Sequence, residues 1–314
     1  MSFFTKWFGK KDKSEEEHEE SMSAPRNRER TESSAPASEQ TSAQQTAASR
    51  ASDDAGTSEP PAWTHVPEQR PGTKVFARYI LLRSPELELE RFAQALRERE
   101  PNARGGVHEG RIIVHVRDMS IVADAIGAPL PNGEVEQNAK YNVMWPNAEE
   151  AIQGYGGHIR VTVMNVEDSV EGHKFLTNVV AALLGGIPNA LAVYSAPMLI
   201  SPGAYLASAD MLKEEGTLPI NLWVFVGLYG TEQGGSSYTH GMQDFGGDEL
   251  ELLNTQRSPS ETFELMFSIA AYSIDRRLHF QGGENIAFKE GQSLELERSP
   301  GAALSGTTMK VKGF

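Results

Sequence analysis

The sequence has no cysteine. That removes disulfides, thiolate metal sites, iron–sulfur clusters and thiol nucleophiles together. A disulfide-stapled secreted scaffold is excluded, while a reducing compartment fits the composition. Excess positive charge is lacking too, since the formal net charge is −14. An acidic chain is poorly suited to neutralising phosphates, so no nucleic acid is expected as a partner, and a basic protein partner is. No secretory leader pattern is visible. A leader places positive charge before its apolar run, whereas Phe3, Phe4, Trp7 and Phe8 here precede Lys10, Lys11 and Lys13. Cytoplasmic residence is the resulting expectation. The longest apolar stretch, 175–200, is cut by Gly185-Gly186-Ile187-Pro188-Asn189. Each half falls short of the roughly 20 apolar residues that a membrane span needs, and the stretch reads as buried helix, turn and buried strand.

Catalytic signatures are missing as well. There is no H-E-x-x-H or H-x-H metal spacing, no G-x-x-x-x-G-K-[ST] phosphate loop, no G-x-G-x-x-G and no G-x-S-x-G elbow. The glycine cluster Gly154-Tyr155-Gly156-Gly157 reads as a helix stop, and Ser236 and Ser237 as turn residues. No cofactor and no metal site is expected.

What is present divides the chain into three. If helical, residues 1–13 gather Phe3, Phe4, Trp7 and Phe8 on one face, with Lys6, Lys10, Lys11 and Lys13 around it. Aromatics at headgroup level and lysines near anionic lipid make an interfacial anchor, so an anionic membrane surface is a second expected partner. A docking peptide for a protein groove fits the same pattern. Residues 14–72 open on Glu15-Glu16-Glu17-His18-Glu19-Glu20 and continue in Ser, Ala, Thr, Gln and Pro. Such a segment buries too little apolar surface to offset its ordering entropy and is expected to be a disordered linker, reaching on the order of 40–50 Å.

Residues 73–314 carry the folded pattern. Strands are expected at 75–82, 111–116, 141–145, 158–164, 190–196, 221–229 and 248–253, with a hairpin return at 237–241 after Gly234-Gly235 and two or three short strands over 285–314. Helices are expected after Ser84-Pro85, over 120–126, 147–153, 169–184 and 202–212, and from Ser258-Pro259-Ser260-Glu261 onward, with a turn at 102–106. Strand 75–82 with its helix echoes strand 158–164 with its helix. The fold class is therefore α+β: a mixed, largely antiparallel sheet with packed helices, arranged as two βαβ-type (ferredoxin-like) halves, 73–157 and 158–314.

The stretch from Asn221 carries Gly227-Leu228-Tyr229, Ser237-Tyr238-Thr239-His240-Gly241-Met242, Phe245-Gly246, Glu249-Leu250-Glu251, Ala271-Tyr272 and Gly282-Gly283-Glu284-Asn285-Ile286. This pattern resembles the bacterial family called domain of unknown function 4261. Asn285 and Ala287 stand where the family has Thr and Gly. The upstream region, 145–194, looks like the family's preceding half. The resemblance implies a bacterial accessory protein and no assigned activity.

The most polar aromatic constellation lies here: Tyr229, Tyr238, His240, Asp244 and Glu249, with Asp248 nearby, form a candidate interaction groove. A histidine beside carboxylates is the material of general acid–base chemistry, so a hydrolase or transferase using His240 and Glu249 is the alternative to a non-catalytic interaction module, whether adaptor, immunity-type or regulatory protein. The bland reading is a hairpin with its carboxylates on a solvated edge. His158 and His173 lie near Glu167, Asp168 and Glu171, an acidic group best explained by a helix N-terminus. Trp145, Tyr194, Trp223 and Phe225 read as core aromatics.

Overall fold

The computed structural model describes residues 65–84, 87–289 and 292–314. The expectations for residues 1–13, for 14–64 of the linker, and for Pro85 as a first helical residue lie outside them. The described residues belong to one compact unit, Pro60–Phe314.

Two sheets form. The first has seven strands: β1 (Lys74–Leu82), β2 (Arg104–His108), β3 (Arg111–Val116), β4 (Met119–Ile126), β5 (Gly157–Val166), β6 (Ala190–Ser195) and β7 (Met198–Ile200), in the order β2-β3-β4-β5-β1-β6-β7. All neighbours are antiparallel. Helix α1 (Leu89–Arg99) follows β1, and α4 (Ser169–Gly186) joins β5 to β6. Because β5 lies between β1 and β4, and β1 between β5 and β6, two βαβ units interlock in a single sheet. The echo seen in the sequence is this interlocking. Both units lie within residues 74–195, so the sheet runs across position 157.

Helix α4 explains the cohesion. Asp168 caps it, its side chain accepting from the Val170 and Glu171 amides, and fourteen of its eighteen residues are buried. A helix apolar on every side must be enclosed, and this one packs on β1, β5, α1 and α5 (Pro202–Glu215). Two short helices, α2 (Glu134–Lys140) and α3 (Ala148–Ala151), pack in a satellite cluster with Leu81, Tyr155, Ala192, Tyr194 and Leu199.

The second sheet holds β8 (Phe225–Thr231), β9 (Gly234–His240), β10 (Leu250–Thr255), β11 (Asn285–Lys289), β12 (Gln292–Pro300) and β13 (Thr307–Lys312), in the order β11-β12-β13-β10-β9-β8. Only β10 and β13 run parallel among its pairs. Helix α6 (Pro259–Arg276) packs on β8, β9 and β10 and starts with a capping box between Ser258 and Glu261.

Several expectations are corrected. Residues 120–126 form strand β4 rather than a helix: Val116 pairs with Met119 across the two-residue turn Arg117-Asp118, and Arg117 takes φ 53°. The expected turn at 102–106 runs into strand β2. The turn after the helix is confined to Pro101-Asn102, and the next one, Glu109-Gly110, has φ of 50° and 77°, the doubly left-handed pair that a tight hairpin needs. Residues 141–145 form an open loop instead of a strand, because Asn142 bonds locally to the amides of Met144 and Trp145. Residues 220–222 form a short 3-10 turn, so β8 begins at Phe225. The run 248–253 is not half-exposed: Leu250, Glu251 and Leu252 are all buried.

Candidate functional site

The hairpin β8–β9 closes one end of the second sheet, with β8 as its last strand. Gly227 pairs with Tyr238, which pairs on its other side with Glu251. Alternation places Phe225 and Tyr229 on the same face as Gly227. A Cβ at Gly227 would sit 2.6 Å from the Tyr238 ring, so the missing side chain is what lets the tyrosine lie across the strand. The Tyr238 ring is 6.0 Å from Phe225 and 6.2 Å from Tyr229, giving a half-buried aromatic row at the sheet's edge.

His240 ends β9 and is exposed. Its neighbour Thr239 points to the opposite side, where its hydroxyl donates to Glu249 Oε2 at 2.8 Å. Glu249 is only 4% exposed and also accepts from the backbone amides of Gly241, Met242 and Gln243, at 2.8, 3.2 and 3.4 Å. Both of its oxygens thus hold the 3-10 turn Met242–Phe245 against the sheet. The structure does not bring His240 and Glu249 together. The expected pairing fails because Glu249 is buried and bonded to Thr239 and the 241–243 amides, while His240 is exposed.

Glu251, two residues on, is fully buried. It accepts from the amides of Ala302, Ala303 and Leu304, from the Thr308 hydroxyl, and from Lys310 Nζ at 2.9 Å. Burial alone would raise its pKa, but these donors bring it down to about 2. Neither carboxylate sits on a solvated edge.

Asp244 has a partner that sequence reasoning missed. His173, buried in α4, places Nε2 3.2 Å from Asp244 Oδ2. The imidazole stacks on Phe76 at 4.3 Å and on Phe245 at 4.8 Å. Burial pushes His173 down to about 4, against the opposing pull of Asp244, and its Nδ1 has no hydrogen-bond partner. Burial would raise Asp244, yet the bond from His173 and the charges of Arg78 and Lys74 hold it below the ordinary carboxylate range. At neutral pH the pair is therefore a neutral imidazole donating to a carboxylate. Aromatic rings on both of its faces leave the histidine no open side for a substrate. The apolar company of His173 within the helix is the sequence signal for a core position.

A cleft of about 440 Å³ opens beside this pair, between the start of α4, the end of α6 and the 242–247 turn. Lys74, Arg277 and His279 bring basic side chains to it. Lys74 Nζ donates to Ser169 Oγ at 3.0 Å and to the Asp244 carbonyl at 2.5 Å, and Ser169 Oγ donates to the same carbonyl at 2.6 Å. Arg277 pairs with Asp168, whose other oxygen caps α4. The cleft thus contains its own anion, and its cations serve to join β1, α4 and the turn. His158 is also a core histidine: it is buried, its Nδ1 lies 2.9 Å from the Ala128 carbonyl, and burial lowers its pKa. Trp223 is buried and donates to Thr177 at 2.9 Å, and Tyr194 is fully buried. Among the described residues, no group of three His, Asp or Glu is placed to hold a metal. Nor is any helix among them long and apolar enough to cross a membrane.

These features define a two-sheet α+β protein with an aromatic edge hairpin. Its C-terminal part, residues 238–312, matches the family described as a domain of unknown function, DUF4261. The match opens at Tyr238 and takes in Glu249, Glu251 and the loop that covers Glu251. No curated protein and no solved structure is detectably similar to the chain.

Proposed function

We propose that this chain is a non-catalytic interaction module of the cytoplasm that engages a protein partner through the edge hairpin β8–β9. The observation that carries this reading is the aromatic row at the end of an open sheet, with Phe225 and Tyr229 on its last strand and Tyr238 beside them on β9. An end strand presents unpaired backbone N–H and C=O groups, and tyrosines beside it add rigid contact area with a polar tip. A partner segment adding to β8 would gain both. The consumption of Glu249 in turn contacts supports the same reading, since that carboxylate has no free oxygen with which to move a proton. The net charge of −14 favours a basic partner through electrostatic steering.

Affinity purification of the full chain tests this. A stoichiometric partner with a basic contact surface, lost in high salt, is the expected result. A chain that repeatedly recovers nothing while turning over a substrate would overturn it. The aromatic and lysine pattern of residues 1–13 supports an accessory role in tethering the module to an anionic membrane surface. Deleting residues 2–13 should shift the protein from the membrane fraction to the soluble one, and an unchanged distribution would remove the tether from the account.

A further inference from the structure

The loop between α2 and α3 is built to display apolar side chains. Tyr141, Val143 and Met144 are 76%, 71% and 44% exposed, three apolar residues out of four consecutive positions. Isolated exposed apolar residues are ordinary, but a contiguous set is a mark of contact. This loop is also held in shape. Asn142 turns inward and donates to the Leu199 carbonyl at 2.7 Å, while its Oδ1 accepts from the amides of Met144 and Trp145 at 3.1 and 3.0 Å. Trp145 packs on the satellite cluster, and its carbonyl accepts from the Ala148 amide at 2.9 Å. The inward residues fix the backbone and leave the outward side chains largely exposed, with Lys140 Nζ 5.8 Å from the centre of the Tyr141 ring. A loop already ordered loses little entropy on binding.

The surroundings say what kind of partner fits. Helices α2 and α3 flank the loop, and residues 134–150 hold Glu134, Glu136, Glu149 and Glu150 against the single base Lys140, all five exposed. An apolar tip in an acidic frame is complementary to an apolar pocket rimmed by Lys or Arg, and it opposes an anionic lipid surface. Resting on the interaction-module reading, we propose that Tyr141, Val143 and Met144 form a second contact surface, separate from the edge hairpin, which inserts into an apolar, basic-rimmed pocket of a protein partner.

The test places a photo-crosslinking amino acid in the full chain at position 143, in parallel at position 229, and maps the crosslinked peptides by mass spectrometry. The expected result is a protein crosslink at 143 whose attachment peptide is apolar with flanking Lys or Arg. Its yield should fall severalfold between 0.05 and 0.5 M salt, as screened surface charges require. Substituting Met144→Ser together with Tyr141→Ser should cut that yield about tenfold and leave the melting temperature unchanged, since neither side chain is buried. Crosslinks at 229 but none at 143 would overturn this inference and spare the module. Lipid, a second copy of this chain or an acidic peptide captured at 143 would also overturn it. Silence at both positions would sink the module as well.

Discussion

Glu249 holds the entry to the 242–245 turn through three backbone amides and one hydroxyl. Glu249→Ala would leave those buried donors unpaired, and such losses cost about 2–4 kcal/mol. Urea unfolding of the full chain should show a loss of unfolding free energy of that size, with a lower midpoint, whereas His240→Ala, at an exposed position, should leave the midpoint unmoved. His173 makes a prediction in pH. Its folded pKa lies near 4, below its ordinary 6.5, so the unfolded chain binds the proton first. Stability is then full above about pH 6.5 and falls as the pH drops toward 4, by up to about 3 kcal/mol. His173→Phe should flatten that phase, because the ring keeps its place between Phe76 and Phe245 without titrating. Glu251 acts lower down: its depressed pKa contributes stability above the ordinary carboxylate value, which is lost as pH falls toward about 2. The alternation of D-E-L-E-L-L was legible in the sequence. The burial of its glutamates was not, because the loop that covers Glu251 arrives from residues 302–304, half a hundred positions away.

At the scale of elements, local chemistry decides some features outright. Ser258 and Glu261 complete a capping box, and Ser258→Ala should cost about 1 kcal/mol in thermal or urea unfolding. Strands β1, β3, β5 and β6 and helices α4, α5 and α6 were readable because their apolar spacing or capping residues act over a few positions. Strand β4 is not legible as a strand, since M-S-I-V-A-D-A-I carries no decisive period and only its pairing with β3 and β5 selects the extended form. The 141–145 loop carries a strand signal because Y-N-V-M-W is rich in strand-formers, while a single Asn142 side chain diverts the backbone. The hairpin β8–β9 was readable in outline, yet the role of Gly227 appears only from its partner across the ladder. Gly227→Val should push the Tyr238 ring aside, given the 2.6 Å approach. The expected signature is a loss of partner binding larger than the loss of stability, seen by comparing binding with melting temperature.

For the whole molecule, the interlocked βαβ pair forms one sheet, and the second sheet ends in the aromatic edge of β8 and β9. The similarity to DUF4261 covers that second sheet from the end of β9, at Tyr238, onward. Under the proposed function, the edge hairpin recognises a protein rather than transforming a substrate. The most direct measurement is the dissociation constant between the full chain and the partner it purifies with, for the native protein and for Tyr229→Ala combined with Tyr238→Ala. A complex at least tenfold weaker, with little change in melting temperature, is the expected result, because both rings are only half-buried. Equal affinity for the two proteins, or a turnover activity that survives the double substitution, would contradict it.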